Sequence, residues 1–361
     1  MKYFSFIILF SLLTTSCNKN QVDMSITPYE LEIPSHFPAM PIPEDNPMSV
    51  EGVELGRRLF YDTRLSLDNS ISCASCHNQQ NGFSDPSQFS VGVNGAVGTR
   101  QSMSLVNLGW QSAYFWDGRS QTLEEQVLHP IRDPIEMNQS WDAAAQKLNA
   151  IEGYQNDFYR VFKVVDFDSS HISKAISQFM RTLISSQSKY DVMYKHRNSL
   201  PLNTFEQNLY TQISNEEWGG MDLFFSLTNG DCLHCHDGPL MEVQGLFSNN
   251  GLDDNFPDIG RMKVTGNPND KGKFKVPSLR NIEYTAPYMH DGRFSNLDEV
   301  INHYSFGIVE SSTIDPMIEF AHQGGVQLDA QEHQLIKSFL KTFTDQNFLN
   351  NPDFKNPGSY K

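Results

Sequence analysis

One five-residue pattern occurs twice in this chain and constrains everything else about it. It is Cys73-Ala74-Ser75-Cys76-His77 in the first half and Cys232-Leu233-His234-Cys235-His236 in the second. Two cysteines three positions apart, followed directly by a histidine, can bond to the two vinyl groups of a haem while the histidine ligates its iron. The sequence therefore predicts two covalently bound haem c groups.

Two other uses of paired cysteines fit the pattern less well. A structural zinc site usually places its second Cys-x-x-Cys pair about 12–20 residues after the first, whereas Cys76 and Cys232 lie far apart. A thioredoxin-like pair needs no following histidine and is expected beside a βαβ pattern, which we do not find in this sequence.

The first 46 residues have the features of an exported, anchored protein. Lys2 and the apolar run from Phe4 to Leu13 predict a signal peptide over residues 1–16, too short for a membrane span of about 20 residues. Thr14-Thr15-Ser16-Cys17 is similar to a bacterial lipobox, so Cys17 is the predicted lipidation site. The alternative is an ordinary cleavage site with an unpaired cysteine. We expect a proline-rich tether over 17–46 and a location in the bacterial cell envelope, facing the periplasm.

The chain is acidic, with a formal net charge of −16. This charge argues against nucleic acid as a partner and favours a small basic electron carrier, although it could serve solubility alone.

A length of 361 residues allows two domains of ordinary size, and one haem motif falls in each half. We predict a first domain over 47–190, a second over 205–345 and a tail over 346–361, with 188–204 as the linker. Helical periodicity is clearest over His171–Ile184. Capping residues predict helices that begin near Ser214, Ser295 and Asp329. No convincing run of strands occurs, so the predicted fold class is mostly α.

Two further blocks resemble the bacterial dihaem cytochrome c peroxidase family, including its MauG branch. The first is Tyr114-Phe115-Trp116-Asp117-Gly118-Arg119, within the stretch Cys73–Met137. The second extends from Val276-Pro277-Ser278-Leu279-Arg280-Asn281 to Ala286-Pro287-Tyr288-Met289-His290-Asp291-Gly292-Arg293. The resemblance covers the chain from about Pro47 to Phe343.

The resemblance implies two cytochrome c-like haem domains packed around a shared interface. In the family the first haem reacts with peroxide and the second receives electrons. Trp116 matches the tryptophan between the haems, Glu136 the acid–base glutamate and Gln126 the distal glutamine. His77 and His236 match the iron-ligating histidines.

The sequence departs from reductively activated relatives at the first iron. Those relatives place a removable histidine where this chain has Val93, and valine cannot ligate iron. We expect an open first iron without prior reduction, unless a distant residue such as His129 ligates it.

At the second iron, the position of the methionine ligand in the peroxidases carries Tyr304, as in the MauG branch. A phenolate favours ferric iron, whereas methionine raises the reduction potential. Met289 and His303 are alternative ligands, and His290 is expected to form hydrogen bonds near the haem. The remaining histidines are expected at the surface or satisfied in the core: His36, His171, His196, His322 and His333.

Family members often bind calcium between the domains. The matching positions are Gln101, Thr285 and Pro287, and Gln101 replaces the usual asparagine, so its amide oxygen lies one methylene further out.

Three functions remain open from the sequence. The first is a dihaem peroxidase that reduces hydrogen peroxide to water with electrons from a small cytochrome c or similar donor, with a homodimer as one assembly. The second is a MauG-like enzyme that stores two oxidising equivalents and oxidises a side chain of a partner protein. The third is a non-catalytic dihaem electron carrier or sensor.

Overall fold

A computed structural model describes residues 25–360. The predicted signal peptide and Cys17 lie outside the described residues. The described part is mostly helical, which confirms the predicted fold class. Its α-helices are α1 Val50–Phe60, α2 Cys73–Cys76, α3 Leu123–Arg132, α4 Trp141–Asn149, α5 Glu152–Phe162, α6 Ser169–Arg181, α7 Lys189–Arg197, α8 Thr204–Tyr210, α9 Asn215–Phe224, α10 Met262–Thr265, α11 Leu297–Phe306, α12 Ala330–Lys341 and α13 Gln346–Asn350. Two short strands, β1 Phe247–Ser248 and β2 Phe274–Lys275, pair antiparallel.

Helix α6 is the central helix of the first half, and it packs against α1 and α3. Its apolar face, which includes Ile176 and Phe179, is fully buried. A Cβ at Gly56 of α1 would overlap the backbone carbonyl of Ala175, so glycine allows the two helices to touch. Leu55 and Leu59 complete this part of the first hydrophobic cluster.

The second half repeats this arrangement with α9 and α12. A Cβ at Gly220 would overlap the carbonyl of Leu335, so these helices also approach closely at a glycine. Met221, Phe224 and Phe339 are buried in a second hydrophobic cluster. Each half therefore has its own apolar core, and each core lies beside one haem motif.

The predicted helix starts are confirmed at two positions and wrong at the third. Ser214 begins α9 with Glu217 in a capping box, and Asp329 begins α12 in the same way. At the third position the N-cap is Asn296 rather than Ser295, because the Asn296 side chain accepts the hydrogen bond from the Glu299 amide. The same Glu299 carboxylate accepts from the Ser295 amide at 2.6 Å.

The segments outside the two predicted domains also pack against them. Phe37 and Met40, in the described part of the predicted tether, are buried with Trp110 and Leu240. Residues 188–204, the predicted linker, contain α7, in which Tyr190 is fully buried. The predicted domain limits stay predictions. Among residues 25–360, no helix has the length and apolarity needed to cross a membrane.

A buried ion pair joins α7 to the second half. The Arg280 guanidinium donates to both oxygens of Asp191, at 2.6 and 2.8 Å, and the Nε2 atom of His36 lies 2.8 Å from the same carboxylate. Burial alone would raise the pKa of Asp191, but the charge of Arg280 and the hydrogen bond from His36 hold it well below its usual range.

Replacing Arg280 with leucine should therefore be strongly destabilising. The Asp191 carboxylate would stay buried without its main counter-ion, which costs about 3–5 kcal/mol of unfolding free energy. Urea unfolding followed by circular dichroism measures this loss. The control is Lys341→Gln, which breaks the exposed pair with Glu283 and should cost at most about 1 kcal/mol. A loss for Arg280→Leu no larger than the control would contradict the argument.

Candidate functional site

The first haem motif lies in a large cleft of the first half. Cys73 and Cys76 form the short helix α2, and His77 follows it directly. All three line a cleft with an empty volume of about 1350 Å³, including its open mouth. Most of the remaining lining is apolar, as in typical cofactor sites.

His77 is oriented by a backbone contact. Its Nδ1 atom lies 2.9 Å from the carbonyl oxygen of Phe83, so we assign the ring proton to Nδ1 and leave Nε2 free. Burial lowers the pKa of His77. The ring is therefore held neutral and in the tautomer that ligates a metal through Nε2.

The second haem motif has the same arrangement in a second cleft. Cys232, Cys235 and His236 line this cleft, whose empty volume is about 1860 Å³ with its mouth included. The Nδ1 atom of His236 lies 3.3 Å from the carbonyl oxygen of Met241, and burial lowers the pKa of His236 to about 4.

Both clefts fit a haem. Each offers two thiols and one neutral imidazole on the wall of a mostly apolar cleft, which is the kind of lining that cofactor sites have. The two cysteine pairs line separate clefts, so they do not form one four-cysteine zinc site. Within residues 25–360, no group of three or more His, Cys, Asp or Glu side chains could bind a bare metal ion.

Glu136 and Gln126 both line the first cleft, together with the motif residues. Burial raises the pKa of Glu136 to about 7, and the nearby charge of Asp133 acts in the same direction. Arg119, which also lines the cleft, opposes this shift. A carboxyl group that titrates near neutral pH can both accept and donate a proton at that pH.

Val93 is buried beside Glu136. Its amide donates to the Glu136 carbonyl at 2.8 Å, and a Cβ at the preceding Gly92 would overlap the carbonyls of Ile135 and Glu136. The loop around Val93, where reductively activated relatives carry a removable histidine, is therefore packed tightly against the backbone of Glu136. Gly92 lines the first cleft.

Trp116 borders both clefts. Its indole nitrogen donates to the carbonyl of Gln101 at 2.8 Å, and its own carbonyl accepts from the Lys275 amide at 2.7 Å. The Gln101 amide in turn donates to the His290 carbonyl at 2.8 Å. Trp116 is thus fixed by backbone contacts to the second half, between the two sites.

The structure contains an internal repeat that our sequence analysis missed. Phe115 and Met289 both have positive φ angles, of 66° and 73°. Each is followed by an Asp-Gly-Arg turn and then a helix, α3 or α11. The signal was present in the sequence, because the block Trp116-Asp117-Gly118-Arg119 is similar to the block His290-Asp291-Gly292-Arg293.

The repeat assigns equivalent positions in the two clefts. Counting seven residues from the first residue of α3 gives Pro130, and the same count in α11 gives Tyr304. Pro130 lines the first cleft and Tyr304 the second. Where the second site has a phenol, the first has a proline, which offers no ligating atom.

The Asn250 side chain contacts Tyr304 and Met289, the two leading candidates for the sixth ligand of the second iron. Its side-chain amide donates to the Tyr304 hydroxyl at 3.0 Å and lies 3.5 Å from the Met289 sulfur. His303, the other candidate, lies with Nε2 3.0 Å from the Asn250 carbonyl. The sequence analysis did not single out Asn250, because a lone asparagine carries no motif.

Four other predicted site residues line the second cleft, and His129 does not line the first. Gln101, Thr285 and Pro287 all line the second cleft, but calcium there stays a prediction. His290 also lines it and stacks on Phe274, with ring centroids 3.7 Å apart. His129 packs edge-on against Phe115 and is not among the described residues that line the first cleft.

The remaining histidines have core or surface contacts. These contacts are His36 with Asp191, His171 with Asp168, His196 with Trp218, His322 with the Glu319 carbonyl and His333 near Asp298.

Comparisons with known proteins identify the family of this chain. Residues 50–199 match the family model for di-haem cytochrome c peroxidase. The chain is 33% identical to cytochrome c551 peroxidase of Nitrosomonas europaea over 89% of this chain and 86% of that protein. It is 31% identical to the methylamine utilization protein MauG of Methylorubrum extorquens, over 91% and 87%.

A solved structure is also similar over almost its whole length. The crystal structure of a MauG-like protein associated with microbial copper homeostasis matches with a TM-score of 0.79 and 34% identity, covering 91% of this chain and 99% of that one. The chain belongs to the di-haem cytochrome c peroxidase family. It is an oxidoreductase of the peroxide-using type, and the resemblance found in the sequence is confirmed.

Proposed function

We propose that the protein is a dihaem cytochrome c peroxidase that reduces hydrogen peroxide to water. The observation that carries this proposal is the position of Glu136 and Gln126, which line the same cleft as the first haem motif. A non-catalytic carrier or sensor has no need of a carboxyl group poised near pH 7 in that position.

We infer that Cys73, Cys76 and His77 hold the first haem and that Cys232, Cys235 and His236 hold the second, with the thiols bonded to the haem vinyl groups. When bound, the haems would supply redox-active iron for peroxide binding and electron storage. Two cytochrome c-like haem domains, one around each cleft, follow from this assignment.

Glu136 and Gln126 have distinct roles in this proposal. The Glu136 carboxylate takes the proton from one peroxide oxygen and returns it to the other, which leaves as water. Two electrons from the donor and two protons from solvent then complete the reduction of the remaining oxygen to a second water. The Gln126 amide donates a hydrogen bond that polarises the O–O bond. Arg119 stabilises the ionised form of Glu136.

We further propose that the first site is ready for peroxide without prior reduction. Two observations support this readiness. The buried Val93 stands where a removable ligand would be, and Pro130 occupies the position that corresponds to Tyr304.

Peroxide turnover should depend on pH through Glu136. Below pH 7 the carboxyl group is protonated and cannot accept a proton, so kcat/KM for peroxide should rise with pH through about 7. Glu136→Gln should lower kcat about 10²–10⁴-fold, the usual contribution of a general acid–base group. Stopped-flow peroxide reduction between pH 5 and 9 provides the measurement.

The matched control is Glu125→Gln, which changes an exposed carboxylate one residue before Gln126 on the same helix. It should keep the wild-type rate and pH profile. Wild-type turnover in Glu136→Gln, with both haems bound, would remove Glu136 from the mechanism.

We propose that a basic donor, such as a small cytochrome c, delivers electrons at the second site, from which Trp116 provides the route to the first. The segments 226–237 and 307–332 each contribute residues to the wall of the second cleft, and neither contains a lysine or arginine. The side chains of Asp231 and Asp315 are buried, and the carboxylates of these segments that reach the surface are Asp237, Glu310, Glu319, Asp329 and Glu332.

Turnover with a basic cytochrome c should therefore fall as salt is raised, because screening weakens attraction between exposed charges. The double variant Glu310→Gln/Glu319→Gln should raise KM for the donor and leave the peroxide reaction unchanged. Glu152→Gln, an exposed change in the first half, serves as the control. A rate independent of salt would argue against docking at this acidic surface.

We propose Tyr304 as the sixth ligand of the second iron. Tyr304→Phe should raise the reduction potential of this haem and change its low-spin resonance signal, because a phenolate favours ferric iron. Met289→Leu should change neither. If Met289→Leu instead changes the potential and the signal while Tyr304→Phe changes neither, Met289 is the ligand. Spectroelectrochemistry and electron paramagnetic resonance of both variants decide between them.

A MauG-like function is the second candidate. It is supported by Tyr304 in the second cleft and by the similarity to MauG proteins. This alternative predicts oxidising equivalents that persist after peroxide is consumed and slow turnover with cytochrome donors. Fast turnover with a reduced cytochrome would exclude it. A carrier or sensor would instead show two six-coordinate irons and no fast peroxide reaction.

We also propose that Cys17 anchors the protein to a membrane of the cell envelope, with the folded part on the periplasmic side. Ser25 lies eight positions after Cys17, a separation that could span at most roughly 28 Å, so the folded part would remain close to the lipid surface. A Cys17→Ala variant that still fractionates with membranes would rule the anchor out. Calcium at Gln101, Thr285 and Pro287, and a homodimer, stay predictions.

A further inference from the structure

Residues 346–360, which we call the strap, follow the second half in sequence but pack against the first. Phe348 and Phe354 are buried in the first hydrophobic cluster. The Tyr360 ring packs edge-on against Tyr154, with centroids 5.0 Å apart, and its hydroxyl donates to Asp157 at 2.5 Å. The strap is thus part of the core of the other half.

Helix α1 and the turn after it fix the strap by its backbone. Arg57 donates to the Asp353 carbonyl at 2.6 Å, and Arg58 donates to the Gly358 carbonyl at 2.7 Å. The Tyr61 hydroxyl donates to the Phe354 carbonyl at 2.7 Å. These hydrogen bonds define one position of the strap along the helix.

The strap also contacts the loop that follows the first haem motif. The Gln79 side-chain amide donates to the Asn351 carbonyl at 2.8 Å and to the Phe348 carbonyl at 3.3 Å. The Phe83 ring packs against both Phe348 and Phe354, with centroid distances of 5.7 and 6.1 Å. Both ends of the loop therefore rest on the strap.

This loop is the one that orients His77. The Phe83 carbonyl is the partner of His77 Nδ1, at 2.9 Å, and Phe83 has a φ angle of 58°. A bulky residue at positive φ is strained and persists only where its surroundings fix it. The two phenylalanine rings of the strap supply such surroundings.

We propose that the strap is a positioning element for the proximal histidine of the first haem, with Gln79 as the positioning residue that links them. The proposal rests on His77 being an iron ligand, as argued under the proposed function. A histidine that donates through Nδ1 to a carbonyl is a more basic ligand. The strap therefore strengthens the bond from His77 to iron by holding the Phe83 carbonyl in place.

The second half has a different arrangement. The Met241 carbonyl lies 3.3 Å from His236 Nδ1, and Met241 is buried within the second half's own cluster. The strap does not contact it in the described part of the chain. Loss of the strap contacts should therefore change the first haem and leave the second unaffected.

The test uses the full-length, haem-loaded protein with two variants on opposite sides of the contact. Gln79→Leu removes both hydrogen bonds from the loop side, and Phe354→Ala removes a ring from the strap side. Resonance Raman spectroscopy of the reduced protein measures the iron–histidine stretching frequency, which only a five-coordinate haem gives. Redox titration gives the potential of each haem.

Both variants should lower the iron–histidine frequency and make the potential of the first haem more positive, because a less basic histidine stabilises ferric iron less. The second haem should keep its potential. Lys355→Gln changes an exposed strap side chain and should leave both haems as in the wild type.

An unchanged frequency in Gln79→Leu, with a native circular dichroism spectrum, would overturn the proposal. A shift in Gln79→Leu with none in a folded Phe354→Ala would also overturn it, since the loop would then position His77 without the strap. Neither measurement depends on peroxide turnover, so the proposal is tested even if the peroxidase function fails.

Discussion

The hydrogen bond from a histidine ring to a backbone carbonyl is the interaction on which both sites depend. His77 and His236 each direct Nδ1 to a carbonyl, of Phe83 and Met241. Each partner residue has a positive φ angle, so the chain must turn sharply just after the motif to present its carbonyl. In the proposed assignment, the cysteines would set where a haem is attached, and this turn would set which histidine nitrogen faces the iron.

The two halves use the same frame for different chemistry. After equivalent Asp-Gly-Arg turns, α3 places Pro130 at its cleft and α11 places Tyr304 at the other. In the proposed function, the proline would leave space for a small oxidant and the phenol would supply a ligand. The asymmetry between the two proposed roles would then come from a few side chains on a repeated backbone.

Local sequence patterns were sufficient to predict part of the fold. The mostly helical class and the capping boxes at Ser214 and Asp329 depend on residues close in sequence, and the structure confirms them. The haem motifs are local signals too, and haem attachment at them stays a prediction. The start at Ser295 was wrong by one position, because the Asn296 side chain accepts the hydrogen bond from the Glu299 amide. The positions of Glu136 and Gln126 came only from family resemblance, since nothing local marks a buried carboxyl group.

Contacts between distant segments could not be predicted, and they are the ones that join the two sites. Nothing near Gln79 in the sequence indicates that it donates to Asn351, just as nothing near Trp116 indicates a contact with Lys275. Each half has its own core, so each could in principle keep its cleft alone. The strap follows the second half in sequence and supports the loop 78–84 of the first half, which orients His77. Trp116 contacts both halves. The first site is therefore complete only when the second half is folded against it.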